Sequence, residues 1–200
     1  MRVTYRELGP REFRGAIRAL VGVYAAAMNP PDRTLSGRES IMDGHAASPG
    51  FRGLTALVDG RLAGFSYGFH GQSGQWWHDM VAAALAARST AGFGDGVAPL
   101  TWLDNSFEIA ELHVMPSCQG RGIGRSLLLS LTADRPERTA VLSTADAPTR
   151  ARRLYRGVGF TDLLTDFRFS GGEPPYAVMG AILPLSPAAT VPQSPRPSNW

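Results

Sequence analysis

The residues best suited to chemistry lie in a glycine-rich turn in the second half of the 200-residue chain. Gly120, Gly122 and Gly124 alternate there, so the turn can adopt positive φ angles and a ligand can approach bare backbone. An apolar helix is predicted to begin near Gly124, and its first N–H groups would point unpaired into the turn. These features predict an anion site, for which a phosphate group is the most suitable ligand. Arg121 and Arg125 flank the turn and could add charge-assisted hydrogen bonds to phosphate oxygens.

The spacing of this turn excludes two common phosphate sites. A P-loop requires a lysine before Ser or Thr, and all 20 basic residues of the chain are arginine. A dinucleotide-binding fingerprint requires G-x-G-x-x-G after a first strand and an acidic residue about 20 positions later. Here the pattern is G-x-G-x-G, and the strand before it lies mid-chain.

The turn from Gln119 to Gly124 resembles the Q/R-x-x-G-x-G/A turn of the GCN5-related N-acetyltransferase (GNAT) superfamily, which holds the pyrophosphate of acetyl-coenzyme A. The preceding Leu112-His113-Val114, followed by Pro116, is similar to the family's strand end before that turn. The run from Arg153 to Phe160 resembles its "LY…GF" signature. The resemblance implies cofactor contacts, with His113 contributing backbone, at Leu112, His113, Val114, Gln119, Gly120, Arg121, Gly122, Ile123, Gly124, Arg125 and Ser126.

The same resemblance implies a mixed α/β (α+β) fold with helices on both faces of a central, largely antiparallel sheet. Two parallel strands at the centre of that sheet splay apart, and the pantetheine arm of the cofactor lies between them. An unpaired strand segment suits an amide-rich ligand, because its free N–H and C=O groups can pair with the ligand as with an added strand.

Acetyl transfer to an amine requires a base, because an amine with a pKa near 10.4 is mostly protonated at pH 7. Glu108 and Glu111 are the candidates on the central strand. By position, Glu108 matches the catalytic glutamate of histone-type members, and Glu111 matches a glutamate of many small-molecule members; Glu108 is slightly favoured. An odd separation places them on opposite strand faces unless a bulge intervenes, so only one is expected to face the cleft. The family role of Tyr155 is to protonate the leaving thiolate.

Other interpretations of these residues stay open. Either glutamate could be a structural carboxylate paired with an arginine, and Tyr155 could be a packed helix tyrosine. The family often has an asparagine seven residues before that tyrosine, whereas this chain has Pro148; Asp146 or Thr149 could compensate. This departure keeps a second function open, a catalytically weak acyl-coenzyme A sensor or interaction module with the same fold.

Length and hydrophobic patterning predict one domain over 1–184 and a flexible tail rich in Pro and Ser over 185–200. Strands are predicted by alternation and β-rich runs, and helices by apolar steps of three and four residues. The predicted strands are 3–8, 51–58, 61–70, 106–115, 139–144, 161–169 and 176–183, and the predicted helices are 11–28, 37–47, 80–88, one from about 124, and 147–157.

The segment 71–105 is longer than the family's usual connection at this place, and we expect it to fold over the acceptor end of the cleft. Its tryptophans could form an aromatic wall and its polar residues could contact the acceptor, or the tryptophans could only anchor the insertion or bury a dimer contact. The candidate acceptor-binding residues are Trp76, Trp77, His78 and Trp102, with further polar contacts from His70, Asp79 and Asp104.

Composition limits the class and the compartment. The chain has no apolar run of 18 residues and no signal-peptide core, so neither a membrane span nor export is expected and the expected location is cytoplasmic. The single cysteine, Cys118, excludes an internal disulfide framework and a cysteine-based zinc site, and no metal is expected. Richness in Ala, Gly, Arg and Pro without Lys indicates a GC-rich bacterial source.

The expected partners are acetyl-coenzyme A as cosubstrate and a small-molecule primary amine. The net charge of +3 is modest, and the arginines cluster only around the turn and at 150–156. A solvated helix face or a contact with the cofactor's polyphosphate explains that cluster more simply than nucleic acid does. A homodimer is left open, because dimers are common in the family but no residue here indicates one.

Overall fold

The computed structural model describes residues 2–31, 35, 37–90, 102–169 and 174–186. Its elements in chain order are β1 (Val3–Leu8), α1 (Pro10–Met28), α2 (Arg38–His45), β2 (Arg52–Val58), β3 (Arg61–Gly71), α3 (Trp76–Thr90), β4 (Ser106–Val114), a 3-10 turn (Pro116–Cys118), α4 (Ile123–Thr132), β5 (Thr139–Ala145), α5 (Arg150–Arg156), β6 (Thr161–Phe167) and β7 (Tyr176–Ile182).

The strands form one seven-stranded sheet in the order β1-β2-β3-β4-β5-β7-β6. Neighbouring strands are antiparallel except β4 and β5, which are parallel. This arrangement confirms the predicted mixed fold. None of the helices in the described ranges has the length and apolar character that crossing a membrane would require.

The predicted elements are confirmed with shifted ends in most places. The largest difference is α3, which was predicted from Met80 and begins at Trp76, so that the two adjacent tryptophans form its first turn. Helix α5 was predicted from 147 and begins at Arg150, because Thr149 caps it by accepting a hydrogen bond from the Arg152 amide at 3.0 Å. Residues 91–101 of the insertion and 187–200 of the tail lie outside the described residues.

Helices α1 and α2 cover one face of the N-terminal half of the sheet. The apolar positions of α1 recur at three- and four-residue steps, so they form one stripe that packs on the aromatic residues of β3. The side chains buried there include Phe13, Ile17, Leu20, Tyr24, Met42, Phe65, Tyr67 and Phe69. Helix α3 covers the C-terminal half with Val81 and Leu85 against Val141 and Val178, while α4 and α5 cover the opposite face.

Strands β4 and β5 separate soon after they begin. Their parallel pairing covers only Ser106–Glu108 with Thr139–Val141. Beyond Glu108, β4 continues to Val114 and stays paired with β3 alone. The backbone of β4 from Ile109 onward therefore has an edge that faces a gap between the two central strands.

A β-bulge lies on β4 at the start of this gap. Tyr67 pairs with Glu111, whereas its neighbour Gly68 pairs with Ile109, so Ala110 is an extra residue in β4. The two strands approach closely here, since a Cβ on Gly68 would lie 2.7 Å from Phe107 Cζ and still closer to the Glu108 carbonyl oxygen. A glycine at position 68 is therefore required by space rather than by backbone dihedrals.

The substitution Gly68→Ala is expected to lower the free energy of unfolding by about 1–3 kcal/mol, because its methyl group must displace the backbone of β4. Urea denaturation measures this change. The matched control is Gly22→Ala in the exposed side of α1, where an added Cβ meets nothing within 4 Å and helix propensity should stabilise by up to about 1 kcal/mol. Equal stability of the two variants would contradict the close approach at the bulge.

Candidate active site

A cavity of about 590 Å³ lies on the sheet face that carries α1, α2 and α3, at the point where β4 and β5 separate. Helix α2, the start of α3 and the middle of β4 supply most of its wall. The lining residues are Arg38, Ser40, Ile41, Gly44, His45, Ser48, Phe69, Gln75, Trp76, Trp77, Glu108, Ile109, Ala110, Glu111 and Ser143.

Both candidate bases line this cavity, so the expectation that only one would face the cleft is wrong. The extra residue Ala110 shifts the alternation of side chains along β4 by one position. Phe107 and Ile109 point into the core beneath α4, and Glu108 points to the opposite face. After the bulge Glu111 points to that same face.

Glu108 is a buried carboxyl group. The residue is 5% exposed, and none of the described residues donates a hydrogen bond to its buried Oε2. Burial raises the pKa of the Glu108 carboxyl to about 8, because the charged form loses the solvation that water provides. A carboxyl with such a pKa can exchange a proton close to neutral pH, as a general base requires.

Glu111 is held in an ion-pair cluster. Its Oε1 accepts a hydrogen bond from Arg38 Nη1 at 2.6 Å, and its Oε2 contacts His113 Nε2. Arg38 Nη2 in turn donates to the Tyr24 hydroxyl at 2.7 Å, and its guanidinium lies 4.2 Å from the centre of the Tyr24 ring. The cluster links α1 and α2 to β4. It also places the positive charge of Arg38 beside the Glu111 carboxyl group, whereas no such charge lies beside Glu108 among the described residues.

A half-buried histidine and a buried tyrosine form a second pair beside the glutamates. His45 Nδ1 lies 3.1 Å from the Tyr67 hydroxyl, and the His45 ring packs 4.9 Å from the Phe69 ring. Burial lowers the pKa of His45, which therefore stays neutral at pH 7. Burial, and then the charge of Glu111, raises the pKa of Tyr67 well above its usual range.

The glycine turn leads into α4 with the geometry of an anion site. Gly120 and Gly122 have φ angles of 75° and 80°, and a Cβ on either would meet nothing within 4 Å. Gly122 is the N-cap residue of α4, and no side chain caps the helix there. The first backbone hydrogen bond of the helix runs from the Ser126 amide to Gly122 O, at 3.0 Å. The N–H groups before Ser126 thus lack an intrahelical acceptor.

Other predicted cofactor residues lie around this turn. Gln119 Nε2 donates to Val114 O at 3.0 Å, so that carbonyl of the β4 edge already has a protein partner. Arg125 Nη1 lies 3.4 Å from Gly157 O and links α4 to the end of α5. Leu112 and Val114 pack against the core beneath α4, whereas the His113 ring lies 5.1 Å from the Tyr24 ring on the cavity face.

Tyr155 is buried in the core between α5 and the sheet. It is 7% exposed, and its ring centre lies 5.7 Å from that of Phe160. Burial, and then the charge of Glu111, raises the pKa of the Tyr155 hydroxyl. Tyr155 does not line the cavity, but it lies close enough to be influenced by the charge of Glu111, which does.

The residues that might have replaced the missing family asparagine have other partners. Asp146 pairs with Arg152 and accepts a hydrogen bond from the Asp166 amide at 2.7 Å, and Thr149 caps α5. Arg152 also bonds Asp162 at 2.9 Å. These contacts hold α5 against the ends of β5 and β6, and they neutralise part of the arginine cluster at 150–156.

Two of the four candidate acceptor-binding residues of the insertion lie at the cavity. Trp76 and Trp77 line the cavity, and Trp77 Nε1 donates to Ser143 Oγ on β5 at 3.1 Å. His78 does not line it; its ring pairs with Asp79 at 3.2 Å, and Asp79 accepts from the Gly74 amide at 3.1 Å. These two residues close the turn before α3.

Trp102, also predicted as a wall residue, packs on β7 instead. A Cβ on Gly180 would lie 2.8 Å from Trp102 Cε3, so the indole covers that glycine. His70, a further predicted contact, lies near the end of β3, and its Nδ1 is 3.3 Å from Oε1 of Glu137, which precedes β5. Neither residue is part of the cavity wall.

Sequence reasoning named none of the α2 residues that line the cavity. Arg38, Ile41 and His45 recur at steps of three and four, so they share one helix face, and all three line the cavity. That spacing was the available signal. Within the described ranges, no group of three or more His, Cys, Asp or Glu side chains is arranged to hold a metal ion.

Comparisons with known proteins found a matching family model, two relatives and many similar solved structures. A family model described as an acetyltransferase (GNAT) domain matches residues 51–162. A GCN5-like protein acetyltransferase of Mycobacterium tuberculosis is 38% identical over 132 residues, which are 64% of this chain and 62% of that protein. A mycothiol acetyltransferase of Kineococcus radiotolerans is 32% identical over 120 residues, which are 54% of this chain and 39% of that protein.

The chain thus spans less than two thirds of the length of both relatives. Among solved structures, the PaiA N-acetyltransferase of Thermoplasma acidophilum in complex with coenzyme A superposes with a TM-score of 0.56. The match covers 91% of this chain and 99% of that one at 14% identity, a level at which the likeness is one of fold.

The unpartnered Glu108 should make stability fall as pH rises. Because its pKa is raised from 4.5 to about 8, the folded state binds one proton more than the unfolded state between those values. Glu108→Gln removes this effect. The free energy of unfolding of the variant, relative to that of the natural chain, should therefore rise by up to roughly 1.4 kcal/mol per pH unit in that window. Urea denaturation between pH 5 and 9 measures the difference.

The control for this prediction is Glu12→Gln in the first turn of α1. The Gly9 amide, and then Arg6, lowers the pKa of the exposed Glu12. The free energy of unfolding of Glu12→Gln should therefore not rise relative to that of the natural chain as pH increases. A Glu108→Gln advantage that stays constant from pH 5 to 9 would contradict the raised pKa.

Proposed function

Because the chain belongs to the GNAT family of acetyltransferases, we propose that it transfers an acetyl group from acetyl-coenzyme A to the primary amine of a small molecule. The transfer proceeds by direct attack of the amine while both substrates are bound. The observation that carries the proposal is the position of Glu108. This buried carboxyl, whose Oε2 has no hydrogen-bond partner among the described residues, lies in a cavity at the point where the central strands separate.

The residues of the turn fit the cofactor. Two glycines in the left-handed region leave open space where side chains would otherwise project, and the first amides of α4 lack intrahelical acceptors. Gly120 to Ser126 would hold the pyrophosphate, with Arg121 and Arg125 adding positive charge. The unpaired edge of β4 at Leu112 and His113 would bind the amide-rich arm of the cofactor.

When bound, the cofactor supplies an activated acyl group, and the protein must supply a neutral amine. Glu108, once ionised, takes a proton from the acceptor ammonium, which gives the nitrogen its lone pair. A base with a pKa of about 8 is closer to the pKa of an amine than an ordinary carboxylate is, so less free energy is lost in this proton transfer.

Glu111 and Tyr155 support this step in different ways. Glu111, fixed by Arg38 and His113, holds α2 over the cavity and is a positioning residue. Tyr155 keeps its proton firmly because its pKa is raised, so it is better suited to donate a hydrogen bond to the departing sulfur than to release the proton completely.

A cavity of about 590 Å³ is within the range of small-molecule sites, which supports a small acceptor. The names of the two relatives differ in what they mention, a protein in one case and mycothiol in the other. The relatives therefore do not choose the acceptor class, and its chemistry must come from the wall of this cavity.

Binding of acetyl-coenzyme A should raise the melting temperature by about 5–10 °C at a concentration of about 100 times Kd. Gly122→Glu should abolish this shift, because the side chain enters the phosphate turn with a strained backbone and the wrong charge. A thermal-shift titration with acetyl-coenzyme A, ATP and NAD measures it. Gly60→Glu is the matched control, since Gly60 has a φ of 79° and equally open space in the β2–β3 turn.

An unchanged shift in Gly122→Glu, or a larger shift with ATP or NAD than with acetyl-coenzyme A, would contradict the proposed cofactor site. A normal shift in the natural chain with no turnover on any amine would favour an acyl-coenzyme A sensor instead.

Turnover should depend on Glu108 in a pH-dependent way. The kcat/KM of the natural chain should rise about tenfold per pH unit up to a break near pH 8, where Glu108 ionises. Glu108→Gln should lower kcat/KM at pH 7 by about 100-fold or more and remove this break, while leaving the acetyl-coenzyme A thermal shift intact. Release of the coenzyme A thiol measures the rate.

Glu111→Gln is the comparison for this profile. It should change the rate by weakening the ion-pair cluster but keep the break near pH 8. If Glu111→Gln removes the break and Glu108→Gln keeps it, the two roles are exchanged and the assignment of the base is wrong.

A further inference from the structure

The charged groups in the wall of the cavity are almost all engaged with one another. Glu111 uses one oxygen on Arg38 and the other on His113. Arg38 Nη1 donates to Glu111 and Nη2 donates to Tyr24, whereas its buried Nε has no hydrogen-bond partner among the described residues. Arg38 and Glu111 therefore cancel, and neither offers its charge to an acceptor.

The neutral polar groups of the wall are engaged in the same manner. His45 is uncharged at pH 7, since burial lowers its pKa, and it pairs with the Tyr67 hydroxyl. Gln75 Nε2 donates to His70 O at 3.1 Å, and Ser143 Oγ accepts from Trp77 Nε1 at 3.1 Å. The hydroxyls of two serines of the α2 side complete the polar lining, at Ser40 and Ser48.

The rest of the wall is apolar and aromatic. Ile41 and Trp76 are 49% and 60% exposed, which is high for such side chains in a monomer and puts apolar surface at the cavity. Phe69 and Trp77 lie deeper in the wall. An apolar acceptor body that contacts these side chains would bind more favourably, because its apolar surface leaves water. A charged body would bind less favourably, because it would lose its hydration.

From these contacts we propose that the acceptor carries one charge only, the reacting ammonium, on an apolar body, and that Arg38 sets this preference by cancelling Glu111. This inference rests on the proposed function, for which it names the substrate class. Among the described residues that line the cavity, ionised Glu108 is then the single charge without an opposite charge beside it, so one ammonium is matched. The second ammonium of a diamine would find no carboxylate, and the carboxylate of an amino acid would find no cation.

The role of Arg38 follows from the same count of charges. Without its guanidinium, the Glu111 carboxylate would face the cavity uncompensated on that side, and the wall would present two negative charges. A diamine would then gain a partner for its second ammonium. Arg38 is thus a specificity-determining residue that acts through Glu111, without contact with the reacting atoms.

Four amines that differ in their charged groups test the charge rule with the 200-residue chain. Phenethylamine has one ammonium on an apolar body, 1,4-diaminobutane has two ammonium groups, and phenylalanine adds a carboxylate. Nα-acetyl-lysine amide carries the same single ammonium on an apolar stem as it occurs in a polypeptide. We expect kcat/KM for phenethylamine or the blocked lysine to exceed that for the diamine and for phenylalanine by tenfold or more.

The two monoamines distinguish the source of the acceptor. The charge rule is supported if either of them has the highest kcat/KM of the four amines. A higher kcat/KM for the blocked lysine would identify a lysine side chain, and a higher value for phenethylamine a free amine. The diamine or phenylalanine within threefold of the better monoamine would overturn the inference.

Arg38→Gln tests the proposed determinant. It should raise the ratio of kcat/KM for diamine over phenethylamine by tenfold or more, and the double variant Arg38→Gln/Glu111→Gln should return the ratio to its natural value. Arg14→Gln is the matched control, because Arg14 also joins α1 to α2 by a guanidinium–carboxylate contact, to Asp43 at 3.1 Å, outside the cavity. An unchanged ratio in Arg38→Gln, or an equal change in Arg14→Gln, would overturn the role of Arg38.

Calorimetric binding of the same four amines to the natural chain separates this inference from the proposed function. The affinity ranking tests the charge rule even where no acetyl transfer occurs. A ranking with a monoamine first but no turnover would contradict the proposed catalysis and support the charge rule. Turnover with the diamine first would support the catalysis and overturn the charge rule.

Discussion

The candidate site depends on one extra residue in β4. Ala110 has no partner in β3, where Tyr67 pairs with Glu111 and Gly68 with Ile109, and this shift turns two glutamates of odd separation to the same face. The shift occurs two residues after the last pairing of β4 with β5. The carboxyl groups therefore meet at the opening between the central strands, under the helices that close the cavity.

The two glutamates then differ because of their surroundings. Glu111 lies beside Arg38 and His113 and is stabilised by them, whereas Glu108 has no donor and is disfavoured in its charged form by burial. A buried carboxyl group with a raised pKa is suited to proton transfer, whereas the contacts of Glu111 suit a structural role. The same surroundings give the cavity one uncompensated charge, on which we base both the proposed base and the proposed acceptor class.

Local signals in the sequence predicted most of the fold. The glycine turn, the alternating strands and the steps of α1 are determined by neighbours in the chain, so they were predicted with ends shifted by a few residues. The bulge could not be predicted in this way, because it depends on the absence of a Cβ at Gly68 on the facing strand. Arg38 was missed since its partner, Glu111, is 73 positions away, and Trp102 was misplaced since its contact with Gly180 is equally remote in sequence.

The most direct test of the account is a titration of the Glu108 carboxyl group itself. Carbon NMR of the chain labelled at glutamate Cδ, with the Glu108 signal assigned by its loss in Glu108→Gln, follows ionisation without any substrate. The account predicts a midpoint near pH 8, well above those of exposed glutamates. A midpoint near 4.5 would show that the carboxyl is solvated or paired in solution, and it would contradict both the proposed base and the charge count of the cavity.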